Sequence, residues 1–279
     1  MKLPFQSRVE TPVLRHPEPS VVPELDSSDI AAMYRAARIG GDFYDFVLVG
    51  EDRLIFALLD IAGRRDQALN IAAAVQQCLR SEAPKLFEAT DLNEADAVTD
   101  LVLAVNQSIL GAAGGVRCSP GILGCYNVPM GIVSYINAGS VPALLRIGVE
   151  VTALESSGLP LGLFSHATHD AQVCVLCEGS SLLLTSRGML EIKAGGEEYG
   201  LERLRESFRN ANDSSARDVC SDVLRAVGDF IEQNKRRRFL KFAAGSAQKN
   251  GEPESLGEND VTAVVLLRKS ARADAATAR

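Results

Sequence analysis

The sequence predicts an α+β sandwich built as a single domain. Three observations favour this class: two apolar segments on either side of residue 50 can pair as a hairpin, a stretch at 117–184 is rich in short strands, and helical segments lie on both sides of that stretch. The strands are grouped along the chain and do not alternate with helices. This order indicates an α+β arrangement in preference to a doubly wound parallel sheet.

The composition is that of an ordinary globular protein, with 46% hydrophobic and 23% charged residues in a chain of 279. The net charge of -7 argues against a nucleic-acid partner, because domains that bind nucleic acids are usually basic. The sequence contains no apolar segment long enough to cross a membrane, and its start lacks the apolar core of a signal peptide. We therefore expect a cytoplasmic protein without a membrane or nucleic-acid partner.

The first strands predicted by the sequence form a hairpin. Its two strands are DFYDFVLV (42–49) and RLIFALLD (53–60), and the turn-like residues Gly-Glu-Asp (50–52) separate them. The sequence then predicts two helices from the spacing of apolar residues. One extends from Arg65 to about Leu86. The other covers about 94–111.

The ends of the second helix carry capping signals. Asn93 is a candidate N-cap, and Gly111 is expected near the C-terminal end.

The strand-rich stretch 117–184 predicts an antiparallel meander, because its apolar segments are short and broken by Gly, Pro and Asn. The segments are GILGCYN, GIVSYINAG, PALLRIG, EVTALE, AQVCVLCEG and SLLLTS. Two helices are predicted to follow, at about 200–211 and 214–234. Asp213 or Ser214 is a candidate cap for the second of them.

Both ends of the chain are expected to lie outside the packed domain. Residues 1–25 are rich in proline and predict an extended lead-in. Residues 235–259 begin with the basic run KRRRFLK and become rich in Gly, Ser and Glu, which predicts a mobile loop. After a closing strand at 261–269, residues 271–279 are expected to be a disordered tail. The predicted domain therefore spans 26–270.

Two acidic residues, Asp42 and Asp60, stand at the open end of the predicted hairpin. A three-residue loop pairs Val49 with Arg53, and this register places Asp42 directly opposite Asp60 on the same face. Carboxylates opposed in this way have Cβ atoms about 5 Å apart and repel each other. Three interpretations stay open: a site for a divalent cation such as Mg²⁺ or Mn²⁺, a solvated hairpin end, and a carboxylate dyad for acid–base chemistry.

Seven sequence blocks between residues 29 and 268 carry a resemblance to a known family. They are AAMYRAARIGGDFYDF, LLDIAG, YINAGSVPALL, GLPLGLF, LLLTSRGMLEI, YGLERLRESF and ENDVTAVVL. In content and order they resemble the signature blocks of the SpoIIE-type branch of the metal-dependent protein phosphatases, the PPM family.

The resemblance implies a four-layer αββα sandwich, in which two antiparallel sheets are flanked by helices. It also implies two Mn²⁺ or Mg²⁺ ions that polarise a water for attack on phosphoserine or phosphothreonine. Asp42 and Asp60 take the catalytic, metal-binding positions, and Ile61 would offer its backbone carbonyl. Asn259 and Asp260 stand at the closing pair of metal ligands. The partner implied is a phosphorylated anti-sigma-antagonist-like protein.

Several positions depart from the family pattern. Arg187 replaces the aspartate of the TDG motif, Asn259 replaces the first aspartate of the closing pair, and Gly-Arg-Arg (63–65) replaces GHG. Two of the four usual metal-ligand aspartates are therefore missing. A guanidinium about 4 Å from a dication is repelled by several kcal/mol even at an effective dielectric constant of about 20. The sequence thus predicts one bound ion or none.

Three interpretations of Arg187 stay open. Its guanidinium could replace a metal and pair with Asp42 or Asp60, because arginine suits bidentate pairing with carboxylates. It could instead bind the substrate phosphate while a reduced metal site still works. The third interpretation is an exposed, solvated arginine.

We therefore expect a PPM-type protein serine/threonine phosphatase domain that acts on a phosphorylated signalling protein with weak or metal-impaired activity. One alternative is a catalytically inactive pseudophosphatase that binds a protein in sigma-factor partner switching. Another is a structural protein that reuses the fold. The spacing does not decide whether Asp45, Asp66 or Glu191 serves as a substitute ligand.

Overall fold

The computed structural model describes residues 16–35, 41–243 and 260–270. The strands, in chain order, are β1 (Ser28–Arg35), β2 (Asp42–Val49), β3 (Arg53–Asp60), β4 (Gly121–Asn127), β5 (Ile132–Ala138), β6 (Ala143–Ile147), β7 (Glu150–Ala153), β8 (Gln172–Val175), β9 (Ser181–Thr185), β10 (Lys193–Ala194), β11 (Glu197–Glu198) and β12 (Val261–Arg268). The helices are α1 (Arg65–Phe87), α2 (Glu94–Ala113), α3 (Gly200–Asn210) and α4 (Ala216–Ala243). A short 3₁₀ turn spans Arg187–Met189.

Two antiparallel sheets form the centre of the molecule. The first has the strand order β2-β3-β4-β5-β8 and the second the order β1-β12-β9-β6-β7. Helices α1 and α2 pack on the outer face of the first sheet, and α3 and α4 pack on the outer face of the second. The predicted four-layer αββα sandwich is confirmed.

Each sheet is covered on both faces, and β3 shows how its sequence meets this requirement. Phe56 and Leu58 belong to the apolar cluster between the two sheets, whereas Ala57 and Leu59 belong to the cluster under α1 and α2. Successive side chains of a strand point to opposite faces, so a strand buried on both faces reads as a continuous apolar run. This is why RLIFALLD has no polar alternation.

The predicted hairpin register is confirmed. In the β2–β3 pair Val49 lies opposite Arg53, and Asp42 lies opposite Asp60. The pairing continues residue by residue without a bulge, so the two aspartates face each other at the end of the hairpin away from the turn.

The predicted N-cap of α2 is confirmed, but the helix ends later than predicted. The Asn93 side chain accepts hydrogen bonds from the backbone N–H groups of Ala95 and Asp96. The helix continues past Gly111 and ends at Gly114, whose φ of 65° is left-handed. A left-handed C-cap favours glycine, whereas Gly111 has an ordinary helical position.

The predicted meander is wrong, although each of its apolar segments forms a strand. Strands β4, β5 and β8 join the first sheet, and β6, β7 and β9 join the second. Apolar patterning indicates where strands form, but it does not show which of two sheets, both buried, receives each strand. Strand β1 was not predicted, because its segment SDIAAMYR has few β-branched residues.

The start and end of α4 differ from the prediction. Ser215, and not Asp213 or Ser214, caps the helix, because its Oγ accepts from the Asp218 N–H at 3.0 Å. The helix continues through the basic run to Ala243, so the loop predicted from residue 235 is wrong over 235–243. Lysine and arginine are good helix formers, which accounts for the extension.

The remaining predictions for the chain ends are only partly covered by the structure. Residues 1–15, 244–259 and 271–279 lie outside the described residues, so the predictions made for them stay predictions. None of the helices described has an apolar stretch of the length that a membrane crossing needs.

A buried ion pair holds α1 against β2. The Asp45 side chain is 0% exposed, and Arg80 Nε donates to its Oδ2 at 3.0 Å. Arg80 also forms an ion pair with Glu18 of the N-terminal segment. Helix α1 follows directly from the end of β3, so this pair contributes to the position of the turn beside Asp60.

Replacing Arg80 with alanine should lower the free energy of unfolding by about 2 kcal/mol, because the Asp45 carboxylate would stay buried without its cation. The value is set below that of a fully buried pair because Arg80 is 35% exposed. Urea denaturation followed by circular dichroism measures the change.

The matched control is Arg225→Ala. Arg225 also forms an ion pair, with Asp222, but its side chain is 69% exposed, so the change should stay within about 0.5 kcal/mol. Equal losses in the two variants would show that the Asp45–Arg80 pair does not stabilise the fold.

Candidate functional site

The paired aspartates line a cleft at one end of the sandwich, where strand ends from both sheets meet. The cleft has a volume of about 150 Å³. It is lined by Gly41, Asp42, Asp60, Ile61, Ala62, Gly63, Gly188, Glu191 and Asp260. The structure thus brings the predicted residues Asp42, Asp60, Ile61 and Asp260 to one site.

Asp42 is tied to the opposite sheet. Thr262 Oγ1, at the start of β12, donates a 2.6 Å hydrogen bond to Asp42 Oδ2. Burial raises the pKa of Asp42 to about 7, the hydrogen bonds from Thr262 and Ser186 lower it, and the charges of Asp60 and Asp260 raise it. Asp42 is therefore partly protonated near neutral pH, which reduces its repulsion of Asp60.

Asp60 ends β3 and faces charges of both signs. Burial raises its pKa, the positive charge of Arg187 lowers it, and the negative charges of Glu191 and Asp260 raise it. Arg187 is thus close enough to act on Asp60 through space.

Asp260 binds the backbone of the residue that precedes β2. Its Oδ2 accepts a 2.7 Å hydrogen bond from the Gly41 N–H. Burial raises the pKa of Tyr34 to about 12, and the charge of Asp260 and a hydrogen bond from Tyr34 to it contribute to the rise. Asp260 therefore connects β12 with β1 and with the residue before β2.

Gly41 leaves space in front of the Ile61 carbonyl. The Ile61 N–H donates to Gly41 O at 2.9 Å, which extends the pairing of β2 and β3 by one step. A Cβ atom on Gly41 would lie 2.6 Å from the Ile61 carbonyl oxygen. The close approach of residue 41 to that oxygen therefore requires glycine.

Arg187 forms its ion pair with Glu191 and not with the paired aspartates. Its Nη2 lies 2.9 Å from Glu191 Oε1, and the two side chains are 42% and 48% exposed. Within the described ranges, Arg187 makes no hydrogen bond to Asp42 or Asp60. The interpretation in which Arg187 pairs directly with those aspartates is therefore wrong. The four-residue spacing across the 3₁₀ turn brings Glu191 within reach instead.

The structure also separates the three candidate substitute ligands. Glu191 lines the cleft. Asp45 is buried against Arg80, and Asp66 lies 3.5 Å from Arg64; neither is among the residues that line the cleft.

The donors present fit one divalent cation. Asp60 and the Ile61 carbonyl offer hard oxygen ligands, and the space that Gly41 leaves open faces that carbonyl. In the part of the chain that the structure describes, no three acidic, histidine or cysteine side chains converge as a metal site, so a cation here would rely on backbone oxygen as well as on Asp60. Asn259 lies outside the described residues.

Four residues that shape the site were not predicted from the sequence. Thr262, Ser186, Tyr34 and Gly41 contact the acidic side chains or the Ile61 carbonyl. Thr262 and Ser186 are polar residues at the ends of apolar strands, which was the available signal. Asp42, to which both donate, is more than 140 residues away from each in the sequence, and spacing does not reveal this contact.

Comparison with known proteins gives consistent matches. The family model for Stage II sporulation protein E (SpoIIE) matches residues 50–237. Protein IcfG of Synechocystis sp. is 23% identical over 235 residues, which cover 77% of this chain and 37% of that protein. The chain therefore spans little more than a third of this curated relative.

Solved structures share the fold. The RsbU and RsbW domains of Rv1364c from Mycobacterium tuberculosis match with a TM-score of 0.63 and 21% identity, over 87% of this chain and 60% of that one. The PP2C phosphatase domain of SpoIIE from Bacillus subtilis, with a fragment of its regulatory domain, matches with a TM-score of 0.61 and 18% identity, over 87% and 63%. RsbX in complex with magnesium matches with a TM-score of 0.55 and 14% identity, over 88% and 98%.

Replacing Gly41 with alanine should lower the free energy of unfolding by about 1–3 kcal/mol, because the added Cβ would lie 2.6 Å from the Ile61 carbonyl oxygen and force β2 and β3 apart. Gly228→Ala is the control, since a Cβ there meets nothing within 4 Å and should stabilise α4 by about 0.5–1 kcal/mol. Urea denaturation of both variants measures the difference. A Gly41→Ala variant as stable as Gly228→Ala would contradict the close approach at the cleft.

Proposed function

Because this chain belongs to the SpoIIE family and contains a SpoIIE-type phosphatase domain, we propose that it acts on a phosphorylated signalling protein. It hydrolyses phosphoserine or phosphothreonine weakly, with one Mn²⁺ or Mg²⁺ in the cleft. The predicted cytoplasmic location stays a prediction.

The observation that carries this proposal is the charge around Asp60. Arg187, paired with Glu191 at the cleft, places a guanidinium within electrostatic reach of Asp60. A cation bound by Asp60 would be repelled by this charge, and the repulsion weakens binding without abolishing it because Arg187 is 42% exposed and Glu191 offsets part of its charge. We therefore expect a single cation site with reduced affinity.

The residues of the cleft would have different roles at such a site. Asp60 and the Ile61 carbonyl would hold the cation, which supplies Lewis-acid polarisation of a phosphoryl oxygen. Asp42, held by Thr262 and partly protonated, can donate or accept a proton at its carboxyl group. Asp260 keeps the Gly41 backbone in place beside the carbonyl of Ile61.

The partner class follows from the relatives. Matches to structures such as the RsbU and RsbW domains support a protein partner in a partner-switching system. A phosphorylated anti-sigma-antagonist-like protein has the required chemistry, a phosphorylated serine or threonine.

A second candidate function is that of a pseudophosphatase which binds the phosphorylated protein and does not cleave it. The Arg187–Glu191 pair favours it, because the pair occupies Glu191, the carboxylate best placed in the cleft to substitute for a missing ligand. Activity and cation binding separate the two candidates.

Wild-type protein should hydrolyse a phosphoserine peptide slowly in the presence of Mn²⁺, and Asp60→Ala should abolish that turnover. Arg187→Asp should raise turnover about tenfold at subsaturating Mn²⁺, because it removes a positive charge beside the cation and adds a carboxylate. Arg225→Asp, an exposed change on α4, should leave turnover unchanged. Release of inorganic phosphate measures the rates, and isothermal calorimetry measures Mn²⁺ binding.

Turnover that survives Asp60→Ala would show that the cleft is not the active site. If the wild type binds no Mn²⁺ and neither it nor Arg187→Asp turns over, the weak-phosphatase proposal fails and the pseudophosphatase remains.

A further inference from the structure

Three arginines lie beside the acidic cleft at the turn that follows β3. We call Arg64, Arg65 and Arg117 the arginine rim. Gly63, which lines the cleft, directly precedes the first two. None of the three belongs to the acidic site described above.

Arg117 packs on the turn itself. Gly63 has a φ of +132°, and a Cβ atom there would lie 3.0 Å from Arg117 Nη1. Nη2 of Arg117 donates to Gln67 Oε1 at 3.2 Å, and its Nε is buried without a hydrogen-bond partner. The glycine thus lets a guanidinium approach the wall of the cleft, where its nearest polar partner is neutral.

Arg65 is exposed on the first turn of α1, two residues after Gly63, which lines the cleft. Its charge lowers the pKa of Tyr34, the residue that donates to Asp260, although burial and Asp260 raise that pKa overall. Arg64 is 82% exposed, and Asp66 lies 3.5 Å from it. Among the residues that the structure describes, no carboxylate forms an ion pair with Arg65 or Arg117.

The start of α1 adds hydrogen-bond donors to the same place. Arg64 is the N-cap residue, and its side chain does not cap the first N–H groups of the 23-residue helix. Uncapped N–H groups and the positive end of a helix favour an anion. The unneutralised arginines, and not the helix end, supply most of the charge.

We propose that the arginine rim binds the phosphate of a phosphorylated serine or threonine side chain on the partner protein. This proposal rests on the proposed function, because it identifies the group by which the phosphorylated partner is recognised. Guanidinium groups match the oxygens of phosphate in bidentate hydrogen bonds. The acidic floor of the cleft repels a phosphate, so positive charge at the rim is needed to hold one there.

The test measures binding apart from hydrolysis. A fluorescein-labelled peptide of neutral residues around one phosphoserine is titrated with protein in EDTA at low salt, and fluorescence anisotropy reports binding. The phosphopeptide should bind at least about tenfold more tightly than the same peptide with serine. Arg65→Ala and Arg117→Ala should each weaken phosphopeptide binding about fivefold to tenfold, and added salt should weaken it further.

Arg225→Ala is the matched control, since it removes an exposed arginine on α4 and should leave binding unchanged. Arg65→Lys should recover part of the affinity, because it keeps the charge and loses the bidentate geometry. Equal affinity for the two peptides, or unchanged binding in Arg65→Ala and Arg117→Ala, would overturn the proposal. If binding behaves as expected while Mn²⁺-dependent turnover is absent, the result supports phosphate binding by the arginine rim and contradicts the catalytic proposal.

Discussion

The hydrogen bond from Thr262 to Asp42 joins the two sheets at the place where the acidic side chains meet. Several carboxylates share this end of the sandwich, and each is partly removed from water. Such a group of like charges is stable only if protons, hydrogen bonds or cations offset the repulsion. In the described residues Asp42 is partly protonated, Asp260 accepts from Gly41 and Tyr34, and Asp60 lies near the charge of Arg187.

Arg187 changes how that repulsion is offset. The family resemblance implies an aspartate at this position and divalent cations between the two sheets. Here a guanidinium, paired with Glu191, supplies a positive charge that is part of the chain. The same charge that steadies Asp60 opposes a bound cation, so stability of the free site and affinity for metal act against each other.

Helix α1 connects this site with the rest of the fold. Arg64 is its N-cap and Arg65 its first residue, and its fourth and fifth turns carry the contacts to β2 and the N-terminal segment. Gln76 exchanges two hydrogen bonds with the Glu18 backbone, and Arg80 bridges Asp45 and Glu18. The segment at residues 16–20 is thus fastened to the helix that begins two residues after Gly63, which lines the cleft.

Local sequence patterns were sufficient to predict several elements of this fold. The hairpin register and the facing of Asp42 and Asp60 follow from a three-residue loop and a side-chain period of two, and the helices follow from apolar spacing. The ordered motifs indicated the αββα fold and the missing aspartates. Long-range packing set which sheet received each strand, the pairing of Arg187 with Glu191, and the positions of Thr262, Tyr34 and Arg117 next to residues that line the cleft. These contacts join residues far apart in the chain or depend on side-chain direction, and neither property is encoded in local periodicity.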